Sequence, residues 1–248
     1  MGELMLIGSG CGIPYKNYGP PCFAIKERDN AFIVDIGYDS LQKILEYVDV
    51  RTMENIFITH THPDHFWGLV PLCFYLKCLN RVDEKHLINI YGHGKIGIFL
   101  SFIKEYYNWF DKEPDVNFVD INKSGCQGEI NDISYYAIKA KHSEDSLAYK
   151  FIIQNKKIVF TGDTEYSEEL VNFSKDAYIL VCECSYIKNG EGHMDVESFK
   201  RLSVESKAEK AVLVHNYREI GYELELLKLK EELGDSLVVG KDGLVLNF

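Results

Sequence analysis

The sequence predicts an α/β fold made of two packed sheets with helices on the outside. Three observations carry this. Short β-rich apolar runs recur along the whole chain, helical patterns lie between several of them, and the order shows two strand meanders, each with helices appended. The strand segments, in order, are "ELMLIG", "CFAIK", "AFIVDIG", "NIFIT", "LINIYG", "ISYYAIKA", "LAYKFIIQ", "KIVFTG", "YILVCE", "KAVLVH", "LVVG" and "LVLNF". Each is rich in Val, Ile, Phe or Tyr, or in Leu, and is bounded by Gly, Asn, Asp or Lys. Helical patterns cover 39–49, 65–80, 94–109, 166–174, 195–207 and 222–233, and Asp195 starts the fifth with Glu197 and Ser198 in its first turn. The first third reads mostly as strands joined by short turns, with helices prominent later. Gly8, Gly10 and Gly12 follow the first strand, but their spacing departs from G-x-G-x-x-G and Pro14, Pro20 and Pro21 forbid the helix a dinucleotide loop needs. "LIGSGCGIP" is therefore read as a tight turn near a site. With no low-complexity linker and no repeat, residues 1–248 are treated as a single domain with two similar halves.

Bulk properties narrow the function classes. The 248 residues are 46% hydrophobic and 26% charged, ordinary for a soluble globular protein. No apolar run reaches the ~18 residues of a membrane span, and the first residues look like a strand entering a glycine turn rather than a signal peptide. Seven cysteines without finger or ribbon spacing fit a reducing, cytoplasmic setting. Net charge is −11, from 27 basic and 38 acidic residues, which disfavours a broad electrostatic grip on extended nucleic acid.

The chemistry concentrates in "FITHTHPDHFWG", which places His60, His62, Asp64 and His65 within six positions of a chain holding eight histidines. His60 opens the loop at the end of a buried strand, and residues two apart on extended backbone face the same way, so His60 and His62 converge on one cation. Pro63 suits the first turn of the following helix. Asp64 and His65 then point to a second position a few ångströms along, so four donors on one loop suit two metals better than one. Three later strand ends offer the remaining donors: His142 in "KAKHS", Asp163 in "VFTGDT" and His215 in "VLVHNY". Seven imidazole and carboxylate donors without thiolate suit a pair of divalent ions, Zn2+ foremost, with Mn2+ or Fe2+ as alternatives.

The chain resembles the metallo-β-lactamase-fold hydrolases, and within them the ribonuclease Z and phosphodiesterase branch. "GSGCGIP" is similar to that branch's opening turn and "FIVDIG" to its early Asp-Gly motif, while "THTHPDH" is the signature, followed in order by "KH", "TGDT" and "VLVHN". The resemblance implies a four-layer αββα sandwich of two mixed sheets flanked by helices. It also implies that His60, His62 and His142 hold one metal, that Asp64, His65 and His215 hold the other, and that Asp163 bridges them. Asp35 would orient the metal loop, or be a strand-end turn carboxylate. His193, in "ECSYIKNGEGHMDVESF", is similar to the histidine that supports the leaving group in the phosphodiesterase branch, with Glu183 in reach to tune it.

The function expected is metal-dependent hydrolysis of a compact phosphodiester, cyclic or nucleotide-like. Paired metals lower the pKa of a bridging water toward about 7 and clamp the phosphoryl oxygens. Asp64 aims the hydroxide, and His193 bonds a phosphate oxygen or protonates the departing alkoxide. Only 20 residues separate His142 from Asp163, so the long arm that tRNA-processing relatives commonly insert there is absent. The short spacing resembles the cyclic phosphodiesterase of phosphonate breakdown, whose cysteine-bound structural zinc has no counterpart, Cys11 and Cys22 being separated and Arg218 lying where a histidine is wanted. The alternatives are a ribonuclease Z-like RNA 3′-processing endonuclease without its arm, or an ester, thioester or lactone hydrolase of the same fold. A non-enzymatic binding module would be expected only with a ligand missing.

Smaller signals complete the reading. Phe66 and Trp67 read as helix-core packing rather than base stacking. His93 lies in a loop within reach of the cleft. Cys182 and Cys184 alternate along a strand and read as core. The aromatic run "EYYNWF" at 105–110 could pack, cover the cleft or meet a second subunit in a homodimer.

Overall fold

Strands whose two faces are both apolar need cover on both sides. In Glu3–Gly8 (β1), Leu4 and Leu6 alternate with Met5 and Ile7, and all four are buried. A computed structural model describes residues 2–28, 30–82, 85–107, 115–121 and 126–248. After β1 come Cys22–Glu27 (β2), Asn30–Val34 (β3), Ser40–Tyr47 (α1), Met53–Phe57 (β4), Pro63–Phe66 (α2), Leu69–Leu79 (α3), Ile88–Gly92 (β5), Gly94–Tyr107 (α4) and Val116–Asp120 (β6). The second half holds Gln127–Ile130 (β7), Ile133–Lys139 (β8), Leu147–Ile153 (β9), Lys156–Phe160 (β10), Glu168–Phe173 (α5), Ile179–Glu183 (β11), Val196–Glu205 (α6), Lys210–Val214 (β12), Tyr222–Leu233 (α7), Leu237–Val239 (β13) and Leu244–Asn247 (β14).

Among the described residues these strands form two seven-stranded sheets, ordered β14-β1-β2-β3-β4-β5-β6 and β13-β12-β11-β10-β9-β8-β7. Both are mixed: β3 to β6 and β10 to β13 run parallel, and the other pairings are antiparallel. Between the sheets lies a core of inward residues that includes Leu4, Phe32, Phe57, Tyr149, Phe151 and Phe160. Outside the first sheet, Ile33, Ile56 and Ile90 pack with Ile44 of α1, Leu72 of α3 and Leu100 of α4. Outside the second, Leu180, Cys182 and Leu213 pack with Leu170 of α5, Phe199 of α6 and Leu229 of α7. The result is the four-layer metallo-β-lactamase fold, as the resemblance implied.

Several elements differ from the sequence reading. The first half is a meander only through β3. From there parallel pairing needs crossovers, which α1, α3 and α4 supply. The helical pattern at 65–80 is split into α2 and α3, because Gly68 abuts Ile36 and donates its N–H to the Ile36 carbonyl at 2.9 Å. β6 and β7 were not anticipated; "VNFVD" and "QGEI" alternate polar and apolar residues too briefly to stand out. α5 starts later than the pattern, at Glu168, capped by the Ser167 side chain. α6 begins as read, with the Asp195 carboxylate accepting from the Ser198 N–H at 2.9 Å. Residues 108–109 of the third helical pattern, and Asn108, Trp109 and Phe110 of the aromatic run, lie outside the described residues. No described helix is long and apolar enough to cross a membrane.

Topology places the site. β10, β11 and β12 are parallel, and β8, two antiparallel steps from β10, shares their direction. The segments leaving all four therefore emerge along one sheet edge. The loop leaving β4 meets them there: the Leu147 N–H donates to the Thr59 carbonyl at 2.9 Å and the Tyr149 hydroxyl to the Ile58 carbonyl at 2.9 Å.

Candidate metal centre

Two clusters of donors form at this edge. Donor atoms of His60, His62, His142 and Asp163 lie within 4.8 Å of one another, as do those of Asp64, His65 and His215. A third overlapping group joins Asp163, His193 and His215. Asp163 spans the first two, with Oδ2 3.7 Å from His60 Nε2 and 3.4 Å from His215 Nε2, and Oδ1 3.3 Å from His65 Nε2. Asp64 Oδ2 is 3.2 Å from His215 Nε2. All seven sequence-predicted donors are thus brought together.

Local backbone makes the convergence possible. Gly162 adopts φ +58° where any Cβ would crowd Thr59, so it turns the chain sharply and aims Asp163 into the site. Asp35 and His215 both adopt φ of 59° without being glycine. Such left-handed residues persist only where their surroundings hold them, and they gather at functional sites. His215 is held by its N–H to the Ser9 carbonyl at 2.9 Å, which brings the glycine turn after β1 against the centre.

The proton network shows what the imidazoles face. His142 Nδ1 is 2.7 Å from the Gly192 carbonyl, which can only accept, so Nδ1 carries the proton and Nε2 a lone pair. His65 Nδ1 donates to Asp35 Oδ2 at 2.7 Å, leaving Nε2 as its second nitrogen. The Thr59 hydroxyl gives its one proton to Asp35 at 2.8 Å, so it accepts from His60 Nδ1 at 3.0 Å. The Ser185 hydroxyl gives its proton to Glu183 at 2.6 Å and accepts from His215 Nδ1 at 2.9 Å. Four Nε2 atoms are thereby turned inward. Those of His60 and His142 each approach His62 Nδ1 to 3.0 Å.

This arrangement fits a cation. Among the described residues His65 Nε2 and Asp163 Oδ1 are buried and form no hydrogen bond, facing each other across 3.3 Å, and a coordinated ion would satisfy both. Charge agrees. Burial opposes ionisation of Asp163, yet the His215 and His65 imidazoles hold its carboxyl well below the usual range. Burial also opposes a charged His65, but Asp163 and Asp35 outweigh it and hold that ring well above the ordinary histidine value. His60 moves the other way, pushed well below it by burial and by the neighbouring His65. Buried carboxylates here call for positive charge, and crowded imidazoles cannot all supply it.

His193 lies beside both clusters, its ring centroid 4.6 Å from that of His142 and 5.6 Å from that of His215. Its Nδ1 is 3.0 Å from Glu183 Oε1, the buried carboxylate at the end of β11. Burial works against a protonated His193, but Glu183 outweighs it and raises the imidazole above its ordinary value. Tyr186 and Tyr217, paired at 5.1 Å, flank the ring at 5.8 and 6.0 Å.

Other sequence candidates settle in place. Asp35 is buried and bonds Thr59 and His65, as an orienting residue would. His93 accepts the Lys95 N–H at the start of α4 and belongs to none of the three donor groups. Phe66 is buried and packs on Phe99 at 4.7 Å, as core packing requires, whereas Trp67, 5.4 Å from the same ring, is exposed and not part of the core. Cys182 and Cys184 are core. Arg218 stacks on Tyr18 and pairs with Glu223. Sequence reasoning missed Ser185, Thr59, Thr61 and Asp145. A single hydroxyl or carboxylate in a strand-end turn has no spacing signal to reveal it.

Comparison with known proteins agrees with the fold. The family model described as Anti-Pycsar protein Apyc1 matches residues 2–225. The probable metallo-hydrolase YhfI of Bacillus subtilis (strain 168) is 24% identical over 222 residues, covering 86% of each chain. The crystal structure of YhfI superposes with a TM-score of 0.85 at 21% identity, covering 99% of this chain and 98% of YhfI. Ribonuclease Z of Pyrococcus furiosus is 24% identical over 285 residues, covering 92% of this chain and 91% of the enzyme. A diphosphatase of the PhnP family superposes with a TM-score of 0.78 at 16% identity, covering 100% of this chain and 97% of the other.

Proposed function

The chain belongs to the Anti-Pycsar protein Apyc1 family and is a metal-dependent hydrolase near the ribonuclease Z branch, and from that premise we propose that it is a dinuclear phosphodiesterase acting on a compact, cyclic or nucleotide-like phosphodiester. In this reading residues 1–248 form one hydrolase domain, at work in the cytoplasm, where its free thiols persist. His60, His62 and His142 would hold one divalent ion, Asp64, His65 and His215 the other, and Asp163 would join them. Zn2+ suits this donor set best, with Mn2+ or Fe2+ as alternatives. Bound ions would supply an acidified water as nucleophile and positive charge against the phosphoryl oxygens.

The residues of the chain do the rest. The carboxylate of Asp64, at the edge of the cluster, accepts a hydrogen bond from the attacking nucleophile and aims it. His193 serves as the acid. Its Nδ1 proton is committed to Glu183, which leaves Nε2–H as the proton the ring can give up. As the bond from phosphorus to the leaving oxygen breaks, that oxygen takes the Nε2 proton. Glu183 holds the imidazole protonated until then, and Ser185 and the Thr164 N–H hold Glu183. Tyr186 and Tyr217 wall the leaving-group side.

The observation that carries this reading is the His193–Glu183 pair beside the donor clusters, because a poor alkoxide leaving group needs an acid and an activated ester does not. The test is leaving-group dependence in protein reconstituted with Zn2+ or Mn2+ after chelation. His193→Ala is expected to slow diesters with alkyl leaving groups by ~10²- to 10⁴-fold, to slow bis-p-nitrophenyl phosphate far less, and to retain its metal. Equal losses on both diesters, or faster turnover of an aryl ester than of either, would contradict it. The match to ribonuclease Z favours a second reading, an RNA endonuclease, which requires that an RNA 3′ extension be cut faster than any small diester.

A further inference from the structure

Asp145, three residues past His142, is a buried carboxylate with no place in the chemistry above; it is 2% exposed. Its Oδ2 accepts from the Thr61 N–H at 2.8 Å and the Thr61 hydroxyl at 2.6 Å. Its Oδ1 accepts from the Ser143 hydroxyl and from the Lys95 ammonium, each at 3.1 Å. Thr61 lies between His60 and His62, and Ser143 follows His142. One carboxylate thus ties together the two loops that present all three imidazoles of one donor group. Asp64, a donor of the other group, lies in α2, where His65 beside it is held by Asp35, a carboxylate that also reaches His60 through Thr59.

The tie has a physical purpose. His60, His62 and His142 bring ring nitrogens to 3.0 Å with outer partners already holding the protons of two of them. The inward lone pairs of His60 and His142 face one nitrogen of His62, which has at most one proton to share between them, so the loops spread unless something holds them in the geometry an ion requires. Four hydrogen bonds to one buried anion, one of them from a cationic lysine, supply that restraint. Burial opposes the charge on Asp145, but Thr61 and Lys95 overcome it and hold the carboxyl well below the usual range. Lys95 also pairs with Glu144 at 3.4 Å, and as the second residue of α4 it links that helix to the tie.

We propose that Asp145 is a positioning residue that sets the affinity of the His60–His62–His142 group for its ion and leaves the Asp64–His65–His215 group unaffected. This rests on the two-ion reading of the site. Asn in its place keeps the shape but sets an amide NH2 against a donor, Thr61 or Lys95 with Ser143, so one side of the tie is lost.

The test is metal affinity, measured by chelator competition with metal content counted by mass spectrometry. D145N is expected to hold one ion as tightly as wild type and the second ~10- to 100-fold more weakly, the range for residues behind a ligand. In a His62→Ala background, which lacks a donor of the tied group, D145N should change little. In a His215→Ala background it should weaken the ion that remains. Thr61→Val, which removes only the hydroxyl bond, should weaken the same ion by less, and it carries the test should D145N not fold cooperatively. Equal weakening of both ions, or of neither while wild type holds two, overturns the proposal alone. A wild type that holds a single ion overturns the two-ion reading and this proposal with it.

Discussion

At the scale of single residues, the centre is organised by where each proton goes. The Ser185 hydroxyl has one to give. It goes to Glu183, so Ser185 accepts from His215 and turns the Nε2 of that ring inward. The same Glu183 raises His193 above its ordinary value despite burial, so the acid form of His193 survives to higher pH than a free imidazole and is lost as pH rises through the raised value. Glu183→Gln removes the charge that raises it. The alkaline limb of kcat/KM on an alkyl-leaving diester should then move to lower pH, and an unmoved limb would show that Glu183 does not tune the acid. The seven donors that the structure brings together were legible in the sequence because each follows a strand end or lies in the H-x-H-x-D-H loop, whereas His193, ten residues past β11, was reached only through the family resemblance. Asp145 and Ser185 were not legible, since their importance comes from what they touch across 84 and 30 positions of chain. Nor does composition reveal that Asp35 and His215 adopt left-handed backbone.

At the scale of elements, β4 links core to site. Its Phe57 is fully buried, stacks on Tyr91 at 4.4 Å and meets Tyr135, Tyr149 and Phe151 of the facing sheet edge-on at 5.1, 5.4 and 4.9 Å. Three residues later the chain presents His60. Phe57→Ala should cost ~3–5 kcal/mol in denaturant unfolding, whereas Phe57→Leu, which refills most of the space, should cost clearly less. Equal, small effects would mean that the two sheets do not depend on this contact. Strand positions were readable here because β-branched and aromatic residues dominate them. Pairing direction was not, since a parallel strand buried on both faces carries the same apolar run whether its neighbour is reached by a turn or by a helix. That is why the first third looked like strands joined by short turns although α1 and α3, at helical patterns the sequence shows, cross over within it.

At the scale of the whole molecule, each sheet places four parallel strands beside an antiparallel set, and the donors come from both sheets at one shared edge. The architecture was legible from the ordered set of segments together. A formal charge of −11 overstates the repulsion met by an anionic substrate, because carboxylates such as Asp163 and Asp35 are buried in the centre rather than spread over the surface. The central claim is that five imidazoles and two carboxylates act as one two-ion site, and it is tested most directly by titrating metal into chelated protein while following diester turnover. Turnover should stay near zero through the first equivalent of Zn2+ or Mn2+ per chain, rise with the second and then level off. Full turnover at one equivalent, or turnover that persists in thoroughly chelated protein, would contradict it.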